Sequence, residues 1–150
     1  MSNTETRQFQ PSDHSSFLAQ ADLELKRAER YRIFVSLIVL DLSIVEKHLG
    51  ADAEKTVKEI MSLAASRIRV TDTVTLLDNS HVALLFPETP RQNAMIAGRR
   101  ITDMVRRTLS DQLGQTIEDA VPMETASYPD AAGAKSVKLF LEELAKKSRN

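Results

Sequence analysis

The sequence predicts an α+β fold, an antiparallel central sheet flanked by helices, and three observations predict it. Segments of distinct periodicity follow one another as helix, strand, helix, hairpin, helix, strand, helix. Two runs, Ile33 to Leu42 (IFVSLIVLDL) and Val74 to Pro87 (VTLLDNSHVALLFP), are rich in Val, Ile, Leu and Phe without clean polar alternation, the pattern of strands covered on both faces. Only 4 Gly and 5 Pro occur, and no repeat or low-complexity stretch appears, so a flexible linker between two domains has no place. The order contains βαββαβ, the core of a ferredoxin-like palm with right-handed split crossovers.

Composition narrows the function classes. The 150 residues hold 20 Lys and Arg against 21 Asp and Glu, a formal net charge of -1, which removes the global basic bias of a nucleic-acid binder and leaves room for a local patch. At 42% hydrophobic and 27% charged, the chain is ordinary for one soluble globular domain. The absence of cysteine excludes disulfides, thiolate metal sites and a thiol nucleophile, and is compatible with a cytoplasmic location. The first residues lack a signal-peptide core and the longest apolar run, Ile33 to Leu40, is too short to span a bilayer, so no membrane association is expected. His14, His48 and His81 lack metal-ligand spacing, no metal or resident cofactor is expected, and His81 reads as a turn residue.

In chain order, residues 1–14 read as a polar flexible tail and 15–150 as the domain. Ser15 or Ser16 is placed to cap a helix reaching Tyr31, with Leu18, Ala21, Leu25 and Ala28 on one stripe that faces either the domain body or a second copy. Asp41 ends the first strand and is either a metal ligand or a cap for the next segment. Asp52 to Arg69 is expected as a helix with Val57, Ile60, Met61, Ala64 and Ile68 on its packed face. The hairpin breaks at Asp78, Asn79, Ser80 and His81, where Asn79 tolerates the positive φ of a two-residue loop, and its tip is the natural place for a site. After Pro87 and Pro90 a helix packs through Ala94, Ala97, Ile101, Met104, Val105 and Thr108. Arg99 and Arg106 point away from that face, whereas Arg100, Asp103 and Arg107 run along its flank. Ser110 to Asp119 reads as a loop, Val121 to Tyr128 as a strand, Pro129 to Gly133 as a turn, and Ser136 to Lys147 as a helix with Leu139, Phe140 and Leu144 in the core.

From Phe17 to Asn150 the chain resembles the GGDEF domains of bacterial diguanylate cyclases, palm-fold enzymes that join two GTP molecules into cyclic di-GMP. The resemblance is carried by LELKRAERY, LIVLDLS, ASRIRVTD, LLDNSHVALLFPET and AKKSRN in the family's order. It implies that the hairpin tip corresponds to the family motif, in which two glycines admit phosphates and two acids hold magnesium. Here the tip reads Asp78, Asn79, Ser80, His81, Val82, leaving only Asp41 of the metal acids. The segment between Asp41 and Gly50 is also shorter than the family pattern and lacks its guanine-reading Asn and Asp, although Lys146 matches a phosphate-contacting lysine. The implied reading is a catalytically inactive domain.

The resemblance further implies a cyclic di-GMP site of the family's inhibitory kind. Arg69, Val70, Thr71 and Asp72 form Arg-x-x-Asp in that register, and Arg100 stands where the next helix supplies a further arginine. An arginine fork matches guanine O6 and N7, and an aspartate accepts from N1 and N2. The same four residues also read as a plain i,i+3 ion pair at a helix end. The expected function is therefore a cyclic di-GMP receptor, with a nucleotide-free interaction or homodimerisation module as the alternative.

Overall fold

The computed structural model describes residues 14–130 and 135–148. Its elements are α1 (His14–Tyr31), β1 (Val35–Asp41), α2 (Ser43–Leu49), α3 (Ala53–Ser66), β2 (Thr73–Leu76), β3 (His81–Pro87), α4 (Arg91–Leu113), β4 (Met123–Tyr128), β5 (Lys135–Ser136) and α5 (Val137–Ser148), with a 3-10 turn at Gly50–Asp52. The strands form one sheet in the order β2-β3-β1-β4-β5. β1 is antiparallel to both β3 and β4, β2 is antiparallel to β3, and β5 runs parallel to β4. This is the expected α+β palm.

Side-chain alternation along β1 divides the interior. Ile38 and Leu40 face α3 and α4, meeting Ile60, Met61, Ile101 and Met104 beside Val74, Leu84 and Phe86. Val35, Leu37 and Val39 face the opposite way, where Phe17, Ala21, Leu25 and Ala28 of α1 and Phe140 and Leu144 of α5 cover Ala83, Leu85 and Ala126. Each such Leu, Ile or Phe stabilises the fold by about 1.5–3 kcal/mol when fully buried. The α1 stripe thus packs on the domain body, with the unanticipated Phe17 at its buried start and the half-buried Leu18 packed at its margin.

Several expected boundaries shift for physical reasons. His14, assigned to the tail, is already helical, so Ser15 and Ser16 lie inside the first described turn instead of capping it; residues 1–13 lie outside the described residues, as does part of the expected 129–133 turn. β1 is shorter than Ile33 to Leu42 at both ends, and Phe34 is exposed. The unexpected α2 is one of the short helices that tertiary packing sustains, here through buried Ile44 and Val45. α3 ends at Ser66, so Arg69 is not helical. Ser110 does not open a loop. Its hydroxyl donates to the Arg106 carbonyl at 2.8 Å, and α4 continues to Leu113 before Gly114, at φ 67, accepts the left-handed turn that ends it. Arg106 is half-buried and donates from Nη2 to the Ile117 carbonyl at 3.2 Å, so it does not point away from the domain. Leu139 is 46% exposed, while Val137 and Leu141 take core positions on α5.

α4 crosses the sheet closely at Gly98. A Cβ there would stand 2.6 Å from Met123 Sδ and 2.8 Å from Ile38 Cδ1. Met123 is half-buried and can yield, whereas Ile38 is β-branched and fully buried, so the about 1 kcal/mol of helix propensity that alanine recovers is set against the cost of shifting Ile38. We therefore expect Gly98→Ala to change stability little and Gly98→Val to lower it by about 1–3 kcal/mol through overpacking, read from urea unfolding midpoints.

Candidate functional site

The two places singled out by the sequence lie at opposite ends of β3, roughly 20 Å apart at about 3.4 Å per residue. The hairpin tip precedes His81. The Arg69–Asp72 corner sits beside Pro87.

At the tip, the Leu77 N–H donates to the His81 carbonyl at 2.7 Å, closing a three-residue loop over Asp78, Asn79 and Ser80. This differs from the expected two-residue loop: among the described non-glycine residues positive φ occurs at Arg32 and Glu88, not at Asn79. A side chain organises the turn instead. Asp78 Oδ1 accepts the N–H groups of Ser80 and His81, each at 2.8 Å, and lies 2.9 Å from His81 Nδ1. The Leu42 N–H donates to the Ser80 carbonyl at 2.6 Å and ties the tip to the end of β1. The register opposes Asp41 to His81, with Oδ2 and Nε2 3.8 Å apart, while Asp41 Oδ1 accepts the Ser43 N–H at 2.9 Å where α2 starts.

Burial works to raise the Asp78 carboxyl, but the Ser80 N–H, the His81 ring and the His81 N–H hold it below the usual carboxylate range. Burial likewise opposes the charge of Asp41, and the Ser43 backbone and hydroxyl together with His81 outweigh both that and the nearby Asp78. Two cavities flank the tip. One, about 560 Å³, lies on the α3 side between Leu42, Glu46, Lys58 and Asn79. The other, about 480 Å³, lies on the α5 side and is lined by Asp41, Asp78 and Glu124 above an apolar floor that includes Phe140 and Leu144. Among the described residues no group of three His, Asp or Glu side chains is arranged to hold a metal ion.

The Arg69–Asp72 corner is a β-turn beyond the end of α3. The Asp72 N–H donates to the Arg69 carbonyl at 2.9 Å, leaving Val70 88% exposed at its crest. Asp72 is 3% exposed, and its carboxylate accepts from the Arg69 N–H at 2.9 Å, from Nε at 3.2 Å and from Nη2 at 3.0 Å. Arg69 Nη2 also donates to the Pro87 carbonyl at 3.0 Å and to the Thr89 hydroxyl. The ion pair that the sequence allowed is therefore formed, and it bridges to the end of β3. The corner borders a cavity of about 260 Å³ that is also lined by Phe86, Asn93 and Ala97. Arg100 is exposed one helical turn beyond Ala97 and does not line the cavity, and Lys146 is exposed on α5. Thr89 was not anticipated. Its part depends on a contact 20 positions away, for which a single sequence carries no local signal.

Neither a family model nor a curated protein matches the sequence. Solved structures do. The chain is similar to a DGC protein from Thermotoga maritima, at 17% identity and TM-score 0.65 over 91% of this chain and 95% of that one. It is similar to the GGDEF domain of DgcB from Caulobacter crescentus in complex with c-di-GMP, at 15% identity and TM-score 0.60 over 99% and 92%. It is also similar to the diguanylate cyclase SiaD from Pseudomonas aeruginosa in complex with its activator SiaC, at 23% identity and TM-score 0.60 over 78% of this chain and 46% of that one. The shared feature is the GGDEF-domain fold.

Because the folded-state acidities of Asp41 and Asp78 are depressed, the stability they contribute is complete above their ordinary value of 3.8 and is lost as pH falls through the folded values. Asn in place of Asp78 keeps an acceptor oxygen and removes the charge. The melting-temperature difference between wild type and Asp78→Asn should therefore be present at neutral pH and shrink towards about pH 3, measured by thermal unfolding across that range.

Proposed function

We propose that this GGDEF-fold domain is catalytically inactive and serves as a cyclic di-GMP receptor through Arg69, Asp72 and Arg100. The observation that carries the reading is the preset Arg69 and Asp72 pair beside a cavity of about 260 Å³. That volume falls just under the range that encloses a whole small-molecule ligand, which suits a single planar base with the rest of the dinucleotide lying over the surface. On binding, Arg69 exchanges its side-chain bonds to Asp72 for guanine O6 and N7, and Asp72 turns an oxygen to N1 and N2 while keeping the Arg69 backbone N–H. The buried carboxylate is thus never stripped of partners. Arg100, exposed on α4, offsets phosphate charge.

Inactivity is supported by the tip chemistry. The backbone N–H groups of Ser80 and His81 are already occupied by the tip's own carboxylate. Ser80 and His81 supply no carboxylate for a hard cation. A nucleotide-free interaction module remains the second reading, favoured by the complete engagement of Arg69 Nη2 by protein acceptors. The proposed partners are accordingly cyclic di-GMP and a protein or second copy, without membrane or nucleic acid. Among the described residues no helix is long and apolar enough to cross a membrane.

Calorimetric titration with cyclic di-GMP separates the two readings. Wild type should bind, Arg100→Ala should bind more weakly, and Arg69→Ala should lose most affinity, about 1–3 kcal/mol for the bidentate guanine contact. Arg69→Ala takes the guanidinium from a buried carboxylate and leaves it the backbone N–H, so unfolding is followed alongside, and Arg100→Ala carries the test if Arg69→Ala does not fold. Arg99→Ala, on an exposed side chain, should bind as wild type does. Absence of binding up to high micromolar ligand returns the reading to the interaction module. Incubation with GTP and magnesium or manganese should yield no cyclic di-GMP, and detectable product would overturn inactivity.

A further inference from the structure

We infer that Thr89 sets the affinity of the Arg69 site by holding the guanidinium in a closed arrangement that ligand must displace. The inference rests on the receptor reading and concerns the regulation of the same site. A guanidinium has five N–H donors in a fixed fork. Here the Nε hydrogen is directed to Asp72, and the two Nη2 hydrogens serve three acceptors: Asp72 Oδ1, the Pro87 carbonyl and the Thr89 hydroxyl. Only Nη1 stands outside these bonds. Side-on reading of guanine O6 and N7 uses Nε with Nη2, and end-on reading uses Nη1 with Nη2, so either form requires Nη2 to leave protein acceptors.

Thr89 is built to stay where it is. It is 7% exposed, its hydroxyl donates to the Pro87 carbonyl at 2.8 Å, and its own carbonyl accepts from the fully buried Ser36 hydroxyl of β1 at 2.7 Å. It follows Glu88, whose φ of 52 turns the chain sharply after β3, and it precedes Pro90 at the start of α4. When Arg69 swings to a ligand, Thr89 keeps its bonds to β1 and β3 and remains satisfied. The guanidinium alone moves. The hydroxyl therefore stabilises the ligand-free form selectively, and removing it shifts the population towards the binding-competent arrangement. Ligand also unties the α3–β2 connection from the start of α4, which gives occupancy a mechanical consequence inside the fold.

The test compares cyclic di-GMP affinity of wild type, Thr89→Val and Thr89→Ser in the full chain, with unfolding followed in parallel. Thr89→Val, close in shape but without the hydroxyl, should bind about 3- to 10-fold more tightly, the worth of one ordinary hydrogen bond, since Nη2 keeps Asp72 and the Pro87 carbonyl as acceptors. Thr89→Ser keeps the hydroxyl and should match wild type. Unchanged or weaker binding by a folded Thr89→Val overturns the inference. A second readout needs no ligand: hydrogen exchange at Arg69 Nε, followed by NMR, should speed up in Thr89→Val and stay slow in Thr89→Ser, and equal rates in wild type and Thr89→Val overturn the inference. If no variant binds cyclic di-GMP, the receptor reading fails, and the exchange rates still decide whether Thr89 holds Arg69.

Discussion

β1 is hydrogen-bonded on both edges and buried at six of its seven residues, so a one-residue slip would drive Ile38 and Leu40 into the α1–α5 face and overturn both halves of the core at once. That constraint fixes the register of β3 from Val35 opposite Pro87 to Asp41 opposite His81. Both candidate sites hang from the two ends of this pairing. At one end the tip meets the start of α2, and at the other Pro87 and Thr89 meet the Arg69 turn.

The two ends use carboxylates in different ways. Asp78 is an exposed acid that folds back on its own loop and takes the N–H groups of the tip, so the loop is complete without a ligand. Asp72 is a buried acid whose charge is tolerable because the Arg69 backbone and side chain both donate to it. A half-buried pair of this sort, with only its acid out of solvent, adds little net stability over an apolar substitute, yet taking the cation from the buried acid is costly. Its presence at a cavity mouth, with the arginine half exposed, is what makes the corner a place where a ligand can compete for the same bonds.

Much of the fold was legible in the sequence because β1 and β3 are apolar without alternation and α3 carries a stripe of period 3.6. What stayed hidden was decided by tertiary contacts. α2 is too short to show periodicity, and Leu139 has the right residue type on the wrong side of α5. Arg106 looked like a surface cation, but its long side chain reaches the Ile117 carbonyl. At the site, Arg69 and Asp72 could be found from their spacing, whereas Asp78 as the organiser of the tip and Thr89 as the partner of Arg69 depend on geometry that residue types alone do not fix.

Backbone and arginine side-chain NMR shifts recorded while cyclic di-GMP is titrated into isotopically labelled protein test the central claim most directly. The account predicts saturable changes at Arg69 Nε, Asp72, Thr89 and Arg100, with the tip residues Asp78 to His81 unmoved. Changes centred on the tip, or an undisturbed Arg69 Nε at saturating ligand, would contradict it.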